Sequence, residues 1–187
     1  MSLRQRVDRS RIELFLKSLA ERFRRPARIY LVGGTTMVFE SFRLQTIDID
    51  LTLEVEATDH SELIRAIRGL KESLSLNIEE VSPGDFIPLP IGYQARHEFI
   101  YRVGTIDVFH FDLYSVALSK IERGRTQDMH DVLGLLGAGR IQWEMLQSCF
   151  EDVLPRMGLE SLRQDPIELE QNFRTLELLW RSGSQEV

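Results

Sequence analysis

The chain has 187 residues, 43% of them hydrophobic and 28% charged, with a formal net charge of −6; these values sit near globular averages and exclude disordered, collagen-like and low-complexity classes. At this length one domain with a self-sufficient core is expected, and the single cysteine, Cys149, excludes an internal disulfide and a multi-cysteine zinc site. No apolar run approaches the roughly 18–20 residues of a membrane span, and the first residues lack a signal-peptide core, so a soluble, cytoplasmic protein without a membrane partner is expected.

Residues 1–28 hold nine basic and three acidic groups, a local charge of +6, which leaves −12 for the remainder. Within this segment Ile12, Phe15, Leu16, Leu19 and Phe23 recur at helical spacing, predicting an amphipathic helix over 11–23 that ends before Pro26. Its basic face suits RNA phosphates or an acidic partner, or equally a solvated surface. Residues 28–32 form a short β-prone run that stops at Gly33-Gly34, and 35–42 then reads as a short helix capped by Thr35 or Thr36. Residues 46–53 alternate polar and apolar side chains, the period of a half-buried strand.

A helix follows over 61–74, and then an irregular loop over 82–92, whose three prolines cannot sit in a central strand. Residues 98–103 and 105–111 read as a strand pair turning at Gly104. Helices are expected over 112–122, 127–136, 141–154 and 167–180. Mixed strands and helices followed by helices alone give an α/β (α+β) core with a helical C-terminal portion.

The chemistry concentrates in residues 31–51. On a strand, Asp48 and Asp50 share a face, about 6.6–6.8 Å apart along the backbone, while Ile47, Ile49 and Leu51 face the core. Two adjacent carboxylates repel unless a cation lies between them, and oxygen ligands suit Mg²⁺ (or Mn²⁺). Just upstream, a strand that ends in Gly33-Gly34 and opens a helix presents bare N–H groups to a phosphate, with a hydroxyl from Thr35 or Thr36 alongside. An exposed strand that merely carries two aspartates is the bland alternative.

Gly33-Gly34, thirteen intervening residues, then Asp48-Ile49-Asp50-Leu51 resembles the signature of the nucleotidyltransferase superfamily, the fold of DNA polymerase beta. The wording Thr46-Ile47-Asp48-Ile49-Asp50-Leu51 is similar to the branch that contains the abortive-infection type nucleotidyltransferase toxins and their uncharacterised bacterial relatives. That branch carries a downstream Lys, an Arg and an Asp-x-x-Asp, which Lys120, Arg123, Asp128 and Asp131 resemble. The resemblance spans about residues 28–135 and implies a mixed β-sheet core flanked by helices. It divides the chain into a basic amphipathic helix (1–27), a nucleotidyltransferase-like core (28–138) and a helical portion (139–187), together one compact unit.

By this resemblance Gly33, Gly34 and Thr35 hold a nucleoside triphosphate, with Lys120 and Arg123 on its phosphates, and Asp48 and Asp50 bind the metal ion. Asp107, Asp112 or no third carboxylate completes the metal site. Lys120 is either a phosphate ligand or an ordinary helix-surface lysine; Asp131 either takes part in catalysis or fixes its helix, and Asp128 is structural. The implied reaction is metal-dependent transfer of a nucleoside monophosphate to a hydroxyl of an RNA end, a protein or a small molecule. A toxin role would add an antitoxin partner. The alternative is a weak or inactive module of the same fold that binds nucleotide or protein. The four histidines have no metal-triad spacing; His110 reads as packed or capped, Cys149 as core, and the two tryptophans as core or interface.

Overall fold

The structure, a computed structural model, describes residues 6–159 and 165–183; Arg4 and the outermost residues of both terminal segments lie outside them. Among the described residues the fold is mixed α/β, with a five-stranded sheet and seven α-helices. No helix among them is long and apolar enough to cross a membrane. The chain forms two compact units: residues up to Ser82 joined by His97–Phe111, and Pro83–Arg96 joined by the residues from Asp112 onward.

The first unit comprises α1 (Arg9–Arg22), β1 (Ala27–Leu31), α2 (Gly33–Phe39), β2 (Ile49–Val55), α3 (His60–Ser73), β3 (Ile78–Glu80), β4 (Glu98–Val103) and β5 (Ile106–His110). The strand order is β3-β2-β1-β5-β4. Strand β1 runs antiparallel to β2 and parallel to β5, while β3 is parallel to β2 and β4 antiparallel to β5. One sheet face (Ile29, Leu31, Ile49, Leu51, Ile106, Val108) packs with α1 and α3 in a common core. Ile12, Phe15, Leu16 and Leu19 of α1 are fully buried, each worth about 1.5–3 kcal/mol, so the apolar stripe docks the helix and its arginines stay outside. Asp8 caps α1 by accepting from Arg11 N at 3.0 Å.

Two boundaries differ from the periodicity. The strand expected from residue 46 starts at Ile49, because Thr46 instead exchanges backbone bonds of 2.8 Å with Val7, which leaves Asp48 just before the strand. Strand β3, three residues long, is too short to show a period in the sequence.

The second unit holds α4 (Leu113–Arg123), α5 (Thr126–Gly137), α6 (Trp143–Val153) and α7 (Pro166–Gly183), with short 3-10 turns at Pro83–Asp85, Tyr93–Arg96 and Leu154–Arg156. Asp112 caps α4 by accepting from Ser115 Oγ at 2.7 Å and from the N–H groups of Tyr114 and Ser115 at 3.3 Å. The Phe150 and Phe173 rings stack at 3.9 Å, with Trp143 5.5 Å from Phe173. Cys149 is buried in this core, and burial pushes its thiol pKa up.

Candidate functional site

The site is built where β1 ends. After Leu31 the chain turns at Gly33, whose φ of +55° is left-handed and favours glycine, and enters α2. A Cβ on Gly33 would stand 2.5 Å from Asp50 Oδ2, and one on Gly34 would stand 2.5 Å from Thr46 Oγ1 and 3.8 Å from Arg43 Nη1. The two glycines therefore let a carboxylate, a hydroxyl and a guanidinium close on the backbone. Gly34 N donates to Asp50 Oδ2 at 3.2 Å, and Asp50 N donates to the buried Thr35 Oγ1 at 2.7 Å. Thr35 thus fixes the backbone of Asp50 from the first turn of α2. Arg43, which sequence spacing did not single out, and Thr46, the first residue of the Thr46–Leu51 wording, sit over Gly34, Thr46 being held there by its bridge to Val7.

Asp50 lies on the sheet face opposite the α1–α3 core, since its neighbours Ile49 and Leu51 are the buried residues. Its partner in β3 is Glu79, so the two side chains share that face. Carboxylate oxygens of Asp48, Asp50 and Glu79 all lie within 4.8 Å of one another. Asn77, at the foot of β3, donates its side-chain amide to Asp48 Oδ1 at 2.5 Å and to Glu79 Oε1 at 2.9 Å.

This donor set fits a hard divalent cation. All three side chains are carboxylates, and around an ion held at roughly 2.1 Å ligand oxygens stand roughly 3–4 Å apart, which small side-chain rotations reach. Gathering three like charges favours a cation among them. Asp48 and Asp50 are half-buried and Glu79 is exposed, leaving the cluster open to a substrate.

The acids considered for the third position have other partners. Asp107 pairs with Arg28 in register, whereas Asp50 O accepts from Val32 N; four residues of β1, about 13 Å, separate the two levels. Arg102 binds both Asp107 oxygens at 2.5 and 2.8 Å and holds that carboxyl below its ordinary pKa. Asp112 is fully buried, with Arg96 on both oxygens at 2.9 Å in addition to its capping bonds. Spacing does not mark Glu79, because a three-residue strand has no readable period and its place beside Asp50 comes from the β2–β3 pairing. His110 is packed, edge-on to Phe39, with Nε2 2.8 Å from Glu40 Oε1.

In the second unit, Lys120 is 1% exposed, with Nζ 2.6 Å from Asp131 Oδ2 and 3.2 Å from Asp128 Oδ1. Arg123 Nη2 donates to Asp128 Oδ1 at 2.7 Å, and Gln127 Nε2 to Asp131 Oδ1 at 3.3 Å. Of the four residues in this block, three are therefore buried and tie α4 to α5, while the Arg123 side chain is 28% exposed.

No curated protein and no solved structure matches the chain. The family DUF6036, described as a nucleotidyltransferase of unknown function, matches residues 10–175, a span that takes in the Gly33-Gly34 turn, the three carboxylates and the α4–α5 block. On that match the chain belongs to this family, and with it to the nucleotidyltransferase superfamily.

Proposed function

We propose that the protein is a metal-dependent nucleotidyltransferase that takes a nucleoside triphosphate and passes its nucleoside monophosphate to an acceptor hydroxyl. The observation that carries this reading is the meeting of the bare Gly33-Gly34 turn with Asp50, beside Asp48, at the end of β1. Asp48 and Asp50 would hold Mg²⁺ (or Mn²⁺), which when bound neutralises triphosphate charge and stabilises the charge that develops in the transition state. The Gly33 and Gly34 backbone carries no Cβ to hold a phosphate oxygen away, and such an oxygen would take the Gly34 N–H in place of Asp50 Oδ2, its partner at 3.2 Å. Thr35 acts by locking the Asp50 backbone, so the carboxylate is oriented before substrate arrives. The acceptor oxygen attacks the α-phosphorus, and pyrophosphate leaves on the opposite side.

By family resemblance Lys120, Arg123 and Asp131 serve the same reaction. For Lys120 to take a phosphate oxygen, one of its two aspartates must yield. Arg123 spends one N–H on Asp128 and is the more accessible cation of the two. The acceptor classes remain an RNA end, a protein or a small molecule, and a toxin held by an antitoxin partner is one biological setting for such an enzyme.

The test is incubation of the protein with each α-³²P-labelled triphosphate, Mg²⁺ or Mn²⁺ and total RNA, beside an Asp48→Asn/Asp50→Asn variant. Label transferred by the wild type and lost in the variant is expected, and the labelled species names the acceptor. Absence of both transfer and nucleotide binding would sink this reading; nucleotide binding without transfer would favour a binding module of the same fold.

A further inference from the structure

We infer that Glu79 is the third ligand of the metal ion and that Asn77 is the residue that positions it. This rests on the reading of Asp48 and Asp50 as the ion's holders, and it moves the third carboxylate to the β3 flank of β2.

The two strands that flank the site on either side differ in what they can supply. On the β5 side, the residue in register with Leu31 is His110, which faces the core. The next residue, Phe111, donates its N–H to Leu31 O and lies at the level of Val32 and Asp50. It is apolar and packs against Tyr30 and His97, at ring distances of 6.0 and 4.5 Å. The acid of β5, Asp107, is at the far end of the strand and bound by Arg102. On the β3 side the register is Asp50 with Glu79. Neighbouring strands stand about 4.8 Å apart, so a glutamate there reaches an ion held by Asp50 without leaving its strand.

Asn77 fixes that arrangement twice over. Its carbonyl accepts from Ile49 N at 2.8 Å, which locks β3 to the residue between the two aspartates. Its side-chain amide donates to both Asp48 and Glu79, so one planar group sets the separation of two carboxylates that would otherwise repel. Hydrogen-bonded partners behind ligands of this kind orient them and raise metal affinity by about 10–100-fold. Glu80, the next residue, pairs with Leu51 rather than Asp50 and belongs to the opposite face, so it has no part in the site.

The experiment is Mn²⁺ titration of the full chain, followed by calorimetry and by the loss of the free-ion EPR signal. Wild type is compared with Glu79→Gln, Glu79→Asp, Asn77→Ala, Glu80→Gln and Asp48→Asn/Asp50→Asn, each checked for folding by circular dichroism. Glu79→Gln is expected to weaken Mn²⁺ at least tenfold, with smaller losses for Glu79→Asp and Asn77→Ala and none for Glu80→Gln. If Glu79→Gln binds as tightly as wild type while the double aspartate variant does not bind, the assignment of Glu79 is wrong and the reading of the aspartates stands. If wild type takes up no Mn²⁺, both are wrong.

Discussion

At the scale of single residues, the site depends on two absent Cβ atoms, and they are absent for different reasons. Gly33 is required by backbone conformation as well as by space: its φ is +55° and a Cβ would collide with Asp50 Oδ2. A left-handed alanine costs roughly 1–2 kcal/mol, and the displaced carboxylate adds to that. Gly34 has only the second problem, a Cβ 2.5 Å from Thr46 Oγ1. Gly33→Ala should therefore lower the melting temperature by at least the roughly 2–8 °C that such a penalty implies and abolish transfer. Gly34→Ala should recover part of its lost stability, and of any lost transfer, when combined with Thr46→Ala, which removes the clashing hydroxyl. Melting curves and the labelled-triphosphate assay on the three single variants and the double variant check both statements. Equal stability of Gly34→Ala with and without Thr46→Ala would contradict the contact. The Gly33-Gly34 and Asp48-x-Asp50 pattern was legible because it is a local spacing. That Thr35 spends its hydroxyl on Asp50 N was not, since that bond spans fifteen residues of separation and depends on how α2 returns over β2.

At the scale of elements, the alternation of β2 and the helical spacing of α1 and α3 were legible because each buries one face against a core, while β-prone composition, glycines and a cap marked β1, α2 and the β4–β5 pair. These signals failed where an element is held by its neighbours instead. Strand β3 is three residues long and exists through its pairing with β2, and Thr46 left the expected strand for Val7. The α4–α5 block shows a further limit: the sequence offers Lys120 as a phosphate ligand or a helix-surface lysine, yet it is buried between two aspartates. An unpaired buried charge is costly, and breaking such a pair destabilises by about 3–5 kcal/mol. Lys120→Met should thus reduce unfolding free energy by about that amount. Asp128→Asn should cost less, because Lys120 keeps Asp131 at 2.6 Å and Arg123 is exposed enough to turn to water. Lys120→Arg should not rescue, because a planar fork does not fit where a point charge sits. Urea unfolding of the three variants separates them, and a Lys120→Met protein as stable as wild type would remove the cross-link between the helices.

At the scale of the whole molecule, the charge that the composition announces has a local counterpart. The net charge is −6, and residues 29–187 alone carry −12 against +6 in residues 1–28. Within that acidic remainder, three carboxylates converge to within 4.8 Å, and like charges this close repel one another unless a cation lies between them. Two consequences follow. A divalent ion that binds only the folded chain stabilises it by RT ln(1 + [L]/Kd), about 1.4 kcal/mol at ten times Kd, which raises the melting temperature by roughly 3–6 °C for a chain of this size. Removing the charge instead of neutralising it has the same thermal direction without the ion, because sites built for function commonly sacrifice stability. Asp48→Asn/Asp50→Asn should therefore melt above the metal-free wild type, show no further rise on adding Mg²⁺, and transfer no nucleotide. Monovalent salt should narrow the gap between the two metal-free proteins, since an ionic strength of about 0.15 M screens charges beyond about 8 Å and weakens repulsion at an open cluster. Differential scanning fluorimetry across Mg²⁺ and KCl series reads all of these at once. A double variant that melts below wild type in the absence of metal would mean that the carboxylates are held by their neighbours more firmly than they repel one another.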